Sequence, residues 1–365
     1  MGPYRVMRLS SLALLLGLAL TSCDKAGHED IGAEPFVLPE AISNNAAALA
    51  AGKDGVTLYS FNGLAAGKSW ADARNIAFAC PIQRRRCRAI ADVPGPEGRL
   101  ASVAVTLGED IYIFGGYSVA EDGSEKSLPY VHRFDPMTES YTRLANMPVP
   151  VDDSVALPYM DRYIYLVSGW HDIGNVSLVQ VYDSQTDSWF GASDYPGAPV
   201  FGHAGGIVGN SLVIADGVLV RDEPDSPKYG PSDEVWRGDI DPDNPAIIRW
   251  RRVKAHPGKP LYRMAAAGNA TLEQVIFAGG SDNPYNYDGI GYDDIPSEPS
   301  SALFGYDVNT DQWTQFAPLS KASMDHRALI FDHENAYIMG GMRRGQETHA
   351  DITQLGLKEL SAAEE

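Results

Sequence analysis

Ile111-Tyr112-Ile113-Phe114-Gly115-Gly116, followed by Phe134-Asp135-Pro136-Met137-Thr138-Glu139-Ser140-Tyr141, is the stretch on which the fold of this 365-residue chain turns. Both halves recur. Hydrophobic runs end in a small-residue pair at Gly115-Gly116, Ser168-Gly169, Asp216-Gly217, Gly279-Gly280 and Gly340-Gly341. The second half returns as Tyr182-Asp183-Ser184-Gln185-Thr186-Asp187-Ser188-Trp189 and Tyr306-Asp307-Val308-Asn309-Thr310-Asp311-Gln312-Trp313. A looser copy runs from Asp239-Ile240-Asp241-Pro242 to Trp250. A unit returning roughly every 50 to 65 residues means a repeat architecture.

Each copy reads as four short strands. Arg99 to Thr106 alternates small and apolar residues, and Gly108-Glu109-Asp110 turns the chain. Ile111 to Phe114 is a continuous apolar run, the mark of a strand buried on both faces. The glycine pair permits positive φ or a close backbone approach. After the third strand, Val131 to Asp135, the Asp-x-x-Thr segment makes a tight turn whose side chains bond nearby amides. Tyr141, Trp189 or Trp313 then opens the outer strand with a large packing residue. Such a sheet cannot bury both faces alone, and radial stacking of copies gives a propeller.

These features resemble the kelch repeat across nearly all of residues 40–358. The expected fold is all-β: a six-bladed kelch-type β-propeller with four-stranded antiparallel blades, at about 44–93, 99–147, 152–195, 203–255, 263–319 and 326–358. Blade 1 is degenerate, with Leu58 to Gly63 where the Gly-Gly run should stand. Blade 6 is one strand short, and Pro35-Phe36-Val37-Leu38-Pro39 is the candidate that completes it and closes the ring. The expected organisation is a lipoprotein signal peptide (1–22), a lipidated tether (23–34), the propeller (35–358) and a tail (359–365).

The leader carries Arg5 and Arg8 before the apolar run Leu12 to Leu20, which is too short to span a bilayer and has signal-peptide form. Leu20-Thr21-Ser22-Cys23 resembles the bacterial lipobox, which implies lipidation of Cys23 and a periplasmic, membrane-tethered protein; an ordinary cleaved signal with an incidental cysteine is the alternative. Asp24 after the cysteine favours the inner membrane. Cys80 and Cys87 flank Pro81 to Arg86, and in an exported protein a cross-strand disulfide is the simple reading. The formal charge of −19, or −21 without the two leader arginines, opposes a nucleic-acid partner.

The residues entering the innermost strands are unusually polar: Asn44, Asn45, Arg99, Asp152, Asp153, His203, Arg263, Asp325, His326 and Arg327. Arg99 and Arg263 stand in matching register ahead of their Gly-Gly strands, and converging guanidiniums suit a carboxylate ligand. The same arginines could instead pair with Asp152, Asp153 and Asp325 as structural glue. A second ring is expected from the loops after the Gly-Gly pairs, including Tyr117, Trp170, His171, Arg221 to Glu223, Tyr285, Tyr287, Arg343 and Arg344. Asp282 to Asp294 lacks the oxygen spacing and closing glutamate of a calcium loop, so neither a metal nor a cofactor is expected.

Within the kelch group the chain resembles bacterial N-acetylneuraminate epimerases, best from Pro94 to Gly169, with a tyrosine-rich insertion after Gly279-Gly280 in common. The resemblance implies a sialic-acid mutarotase; from the inner-strand positions and the second ring, the residues expected to bind an acidic sugar are Arg99, Asp153, Trp170, His203, Arg263 and Arg327. The family's catalytic glutamate position holds Val218, while Arg221 matches its arginine; Asp216, Asp222 or Glu223 would have to replace the carboxylate. The expected function is therefore either that mutarotase, with Arg221, Asp222 and Glu223 catalytic, or a non-catalytic propeller that binds a glycan or a protein partner.

Overall fold

A computed structural model describes residues 1–2, 35–221 and 228–361. Cys23 and most of the leader, along with Asp222 and Glu223, lie outside the described residues. The chain divides into two compact units, Met1–Glu34 and Pro35–Glu365, and the second carries everything that follows.

Six antiparallel sheets make six blades. In blade 1, Ile42–Ser43 and Ala46–Gly52 both pair with the long strand Gly55–Ala65, followed by Ala73–Pro81 and Arg88–Ile90. Blade 2 is Val103–Leu107, Asp110–Phe114, Val131–Asp135 and Ser140–Arg143, and blades 3, 4 and 5 repeat that order from Val155, Ala204 and Ala265. Blade 6 has three strands: Ile330–Phe331, Asn335–Met339 and Ile352–Gly356. The first strands of successive blades touch all the way round, from blade 1 through blade 6 and back, so the ring is closed.

The closing segment is the one expected from sequence. Leu38 N donates to Ala350 O at 2.8 Å, and Ile352 N donates to Phe36 O at 3.0 Å. Phe36 and Leu38 are buried in one cluster with Leu58 and Phe78 of blade 1 and Tyr337 and Met339 of blade 6. Other seams are apolar in the same way. Tyr112 and Phe114 of blade 2, for example, pack with Ile164, Leu166 and Tyr182 of blade 3. That interlocking explains why the second strand of each copy is an unbroken hydrophobic run.

The small-residue pairs have one backbone geometry. Their first members have φ between 54° and 71° and their second members between 87° and 120° in blades 2 to 6. Serine and aspartate tolerate the first position in the left-handed region, whereas the second is glycine throughout. At Gly116 a side chain would also strike Leu100 O, 2.6 Å from an ideal Cβ. Blade 1 has the same pair in disguise: Asn62 at φ 57° and Gly63 at φ 116°. The aspartate turns form as the sequence suggests, with Asp135 Oδ1 accepting from Met137 N at 2.8 Å and Thr138 N at 3.2 Å. Cys80 and Cys87 are disulfide-bonded. The three arginines at the tip of the hairpin they close are all exposed. Arg84 pairs with Asp54, and Arg85 lies over the Phe36 ring at 5.0 Å and donates to Gln354.

Candidate functional site

One residue per blade, immediately before or near the inner strand, takes up a left-handed conformation: Asn44, Ala101, Asp153, Gly202, Arg263 and Asp325, with φ from 50° to 70°. Hydrogen bonds link these positions into a collar around the axis. Asn44 N donates to Asp325 O (3.1 Å), Asp153 N to Ala101 O (3.3 Å), Gly202 N to Asp153 O (2.8 Å), Arg263 N to Gly202 O (2.8 Å) and His326 N to Arg263 O (3.1 Å). The remaining link runs through a side chain, Ala101 N to Asn44 Oδ1 at 2.7 Å.

The collar's side chains meet in a buried ionic cluster. Arg263 holds both oxygens of Asp153 and reaches Asp325 Oδ1 at 2.9 Å. Arg327 pairs with Asp153 Oδ1 at 2.6 Å and also donates to Asn44 Oδ1. Burial works against the Asp153 carboxylate, but the two guanidiniums outweigh it and hold its pKa below the usual range. Two guanidiniums thus face two carboxylates, and of the two readings open at the sequence level, the geometry is that of structural glue.

Arg99 is not part of this cluster. The residue matching Arg263 in the collar is Ala101, because the blade 5 hairpin runs from Asn269 to Gln274 while that of blade 2 runs only from Leu107 to Asp110. Counting back from the Gly-Gly strand therefore misplaces the register by those two extra residues. Arg99 is instead fully buried, 6.0 Å from the Tyr130 ring centroid, and none of its guanidinium nitrogens has a hydrogen-bond partner among the described residues. Burial, aided by Arg143, pushes its pKa down to about 10. His203 lines the axial channel, its Nε2 2.9 Å from Val167 O of blade 3, and burial lowers its pKa to about 4.

The collar separates two cavities. On one side the inner strands enclose an apolar channel of about 420 Å³, lined by small residues such as Ala48, Ala104, Ala156, Gly206 and Ala267. On the other side is a polar cup of about 370 Å³ with Asp153 and Arg263 in its lining. Its walls come from the paired strands after the small-residue pairs of blades 2, 3 and 4 (Tyr117–Val119 with Glu125–Ser127, Trp170–His171 with Gly174–Asn175, Val218–Val220 with Tyr229–Pro231) and from the insertion after Gly280. These contribute Tyr117, Glu125, Trp170, Asp172, Tyr229 and Tyr292. Tyr229 and Tyr292 pack at 4.2 Å between ring centroids, and Trp170 lies 6.1 Å from Tyr229.

The cup is rich in carboxyl groups in unlike environments. Burial, with Asp153 alongside, raises the Asp152 pKa well above the carboxylate range, and Ser127 Oγ donates to its Oδ2 at 2.6 Å. The surroundings of Asp152 thus favour its protonated form, while those of Asp153 favour the ionised one. Glu125 is exposed on the cup wall, and the protein around it still raises its pKa by desolvation, an effect Arg263 partly offsets. Asp172 Oδ1 accepts from Ser127 N at 2.8 Å.

Of the binding residues expected from sequence, Asp153, Trp170 and Arg263 line the cup, His203 and Arg327 line the channel beneath it, and Arg99 lies elsewhere. Tyr285 is buried under the floor with Arg263 5.3 Å from its ring, and Arg343 and Arg344 are engaged by Asp351 and Glu298. Val218 is fully buried and offers no chemistry. Asp216 does not replace its carboxylate in the cup, because Oδ2 is held by His256 Nε2 at 2.8 Å and Leu261 N at 2.7 Å in a separate buried pair. Arg221 N bonds Lys228 O at the mouth of the blade 4 hairpin. Glu125, Asp172, Tyr229 and Tyr292 were missed; the available signal was their position in hairpins that follow each small-residue pair.

A family profile described as "Kelch motif" matches residues 98–148. Kelch-like protein 36 of Bos taurus is 24% identical over 270 residues, covering 72% of this chain and 39% of the relative. Kelch-like protein 15 of Mus musculus is 30% identical over 237 residues, covering 64% of this chain and 37% of the relative. The chain thus spans well under half the length of these curated relatives. The solved structure of YjhT superposes with a TM-score of 0.68 at 17% identity, covering 86% of this chain and 95% of that one.

Proposed function

We propose that this six-bladed kelch-repeat propeller is an exported, lipid-anchored protein that binds a saccharide in the cup above its collar. The observation that carries the reading is one cavity lined by Trp170, Tyr229 and Tyr292 together with Asp152, Asp172 and Asn286. Aromatic surface beside a few placed polar groups suits a polyhydroxylated ring, which has apolar faces and a hydrogen-bonding edge. The leader through Cys23 supports export and acylation, with Asp24 favouring the inner membrane of a bacterial envelope. A protein partner is the alternative supported by the kelch-like relatives, and it would dock on the same loop face.

Acidic sugars such as sialic acid fit less well. Their carboxylate needs an unengaged cation, and Arg263 and Arg327 are already held by Asp153 and Asp325.

A second reading, mutarotation of the bound sugar, is favoured by the opposed pKa shifts of Asp152, upward, and Asp153, downward. Ring opening moves a proton from the anomeric hydroxyl to a base and delivers one to the ring oxygen; closure on the other face reverses both transfers. Protonated Asp152 can lend the proton to the ring oxygen, while cup water takes the hydroxyl proton. Groups whose environments drive their pKa values apart are the usual basis of such acid and base roles.

Ligand-observed NMR with the full-length protein in detergent tests both readings at once. Saturation transfer to a sugar ring supports binding, and accelerated exchange between α and β anomeric signals supports mutarotation. Absence of transfer to neutral, amino and acidic sugars at millimolar concentration would remove the saccharide reading. Fractionation with mass spectrometry of the N-terminal peptide tests the anchor: acylated Cys23 is expected, and an unmodified thiol overturns it.

A further inference from the structure

Building on the saccharide reading, we infer that the ligand of the cup carries an ammonium group, received by the Glu125 and Asp172 carboxylates beside Trp170 and Tyr292. The collar beneath is internally balanced, with Arg263 and Arg327 set against Asp153 and Asp325. Above it, with Asp152 driven toward its neutral form, the lining carries Glu125 and Asp172 against a single lysine, Lys126. Among the described residues Glu125 makes no salt bridge and no side-chain hydrogen bond, and Asp172 accepts only from Ser127 N. Both carboxylates stand exposed to solvent on the wall of the cup.

The ring lining points the same way. A cation is attracted to an aromatic face by the ring quadrupole, most strongly to tryptophan. The protein already uses this contact at the cup's edge, where Lys228 Nζ lies 5.2 Å from the Tyr229 centroid. It uses it again below the floor, where the Arg263 guanidinium carbon lies 4.7 Å from the Tyr262 centroid. Tyr229 is therefore engaged by Lys228 and Tyr292, leaving Trp170 and Tyr292 as the rings that an incoming ammonium meets. Desolvation raises the Glu125 pKa, a sign that the carboxylate lacks enough positive charge around it, and a ligand cation would supply that charge.

An amino sugar and a lysine side chain of a partner present the same ammonium chemistry, and calorimetry on the full-length protein in detergent can separate them. The probes are glucosamine, glucose, N-acetylglucosamine, sialic acid, trimethylalkylammonium and a blocked lysine. Glucosamine is expected to bind at least about tenfold tighter than glucose or N-acetylglucosamine, a gap that narrows in high salt. The glucosamine-to-glucose ratio should fall toward one in Glu125→Gln and, independently, in Asp172→Asn. Equal or weaker binding of glucosamine, or a ratio unchanged in both variants, overturns the ammonium inference. In that case, continued binding of glucose leaves the saccharide reading standing. Binding of the alkylammonium or blocked lysine, sensitive to Glu125→Gln and unaccompanied by any sugar, upholds the ammonium inference and removes the saccharide reading. Binding of none of the probes removes both.

Discussion

Arg263 grips Asp153 at two points, Nη2 to Oδ2 at 2.6 Å and Nε to Oδ1 at 3.1 Å, and its remaining nitrogen reaches Asp325. Both ends of this clamp sit at left-handed φ values, 54° for Arg263 and 50° for Asp153, which ordinary side chains adopt only when their surroundings impose it. Backbone strain at the axis is thus held by ion pairing across it.

Arg263→Ala should cost about 3–5 kcal/mol, because it strips buried Asp325 of its close guanidinium and leaves Asp153 with Arg327 alone. Urea denaturation measures it. A loss below about 1 kcal/mol would show that the clamp does not hold the collar. The consequence for binding assays is direct: lost affinity in Arg263→Ala reports collapse of the floor, and the gentler cup variants Glu125→Gln and Asp172→Asn are the informative ones.

Arg99 behaves oppositely. It is buried without a hydrogen-bonding partner, so replacing it with methionine removes an uncompensated charge and fills the same space. Arg99→Met should leave stability unchanged or raise it by at least about 1 kcal/mol, with no effect on ligand affinity. The pH dependence has a definite sign. The folded pKa, about 10, lies below the ordinary 12.5, so the folded chain sheds this proton more readily than the unfolded one. Its destabilising effect is full below about 10 and fades as pH rises through that value. The stability difference between Arg99→Met and wild type should therefore shrink above pH 10. A large loss of stability in Arg99→Met at neutral pH would contradict this account.

These two arginines mark how far sequence alone could carry the structure. The ring was legible because the glycine pair answers a local backbone demand, repeated in every blade; even Asn62-Gly63 obeys it, although asparagine hid the copy. The register of the axis was not legible, because two extra residues in the hairpin Asn269–Gln274 moved Arg263, rather than Arg99, into the collar. The cup was only half visible. Asp153 and Trp170 stand at repeat-determined positions, whereas Glu125 and Tyr292 lie in hairpins and insertions that differ between blades and carry no periodic signal.

A pH response is also built into the seam between blades 4 and 5. His256 Nε2 lies 2.8 Å from Asp216 Oδ2 and Nδ1 lies 2.9 Å from Pro257 O, two acceptors that together call for a doubly protonated ring. Burial opposes that charge, but the Asp216 hydrogen bond outweighs it and raises the pKa above 6.5. Because the folded value is the higher one, the contribution is complete below pH 6.5 and is lost as pH rises through the raised value. His256→Asn should cost about 2–3 kcal/mol at pH 6 and progressively less toward pH 9. Thermal melts of both proteins across that range are the check, and a pH-independent difference would show that the ring acts by packing against Phe304 alone.

The final prediction concerns how the ring stays shut. The disulfide Cys80–Cys87 closes a short hairpin in blade 1, and that hairpin carries Arg85 to the Phe36 ring and to Gln354 of blade 6. The cross-link therefore acts on two levels. It reduces the entropy of the unfolded chain, a contribution of about 2.5 kcal/mol for so short a loop. It also holds an arginine against Phe36, in the segment that hydrogen-bonds along blade 6 and packs on blade 1. Replacing both cysteines with serine should lower stability by about 2–3 kcal/mol in denaturant. It should also raise amide exchange selectively at Leu38 and Ile352, whose hydrogen bonds close the seam. Arg85→Ala in the disulfide-bonded protein separates the two levels, since it leaves the loop entropy intact. Faster exchange at Leu38 in that variant, with little change in global stability, assigns the seam to Arg85; unchanged exchange assigns the whole effect to the cross-link.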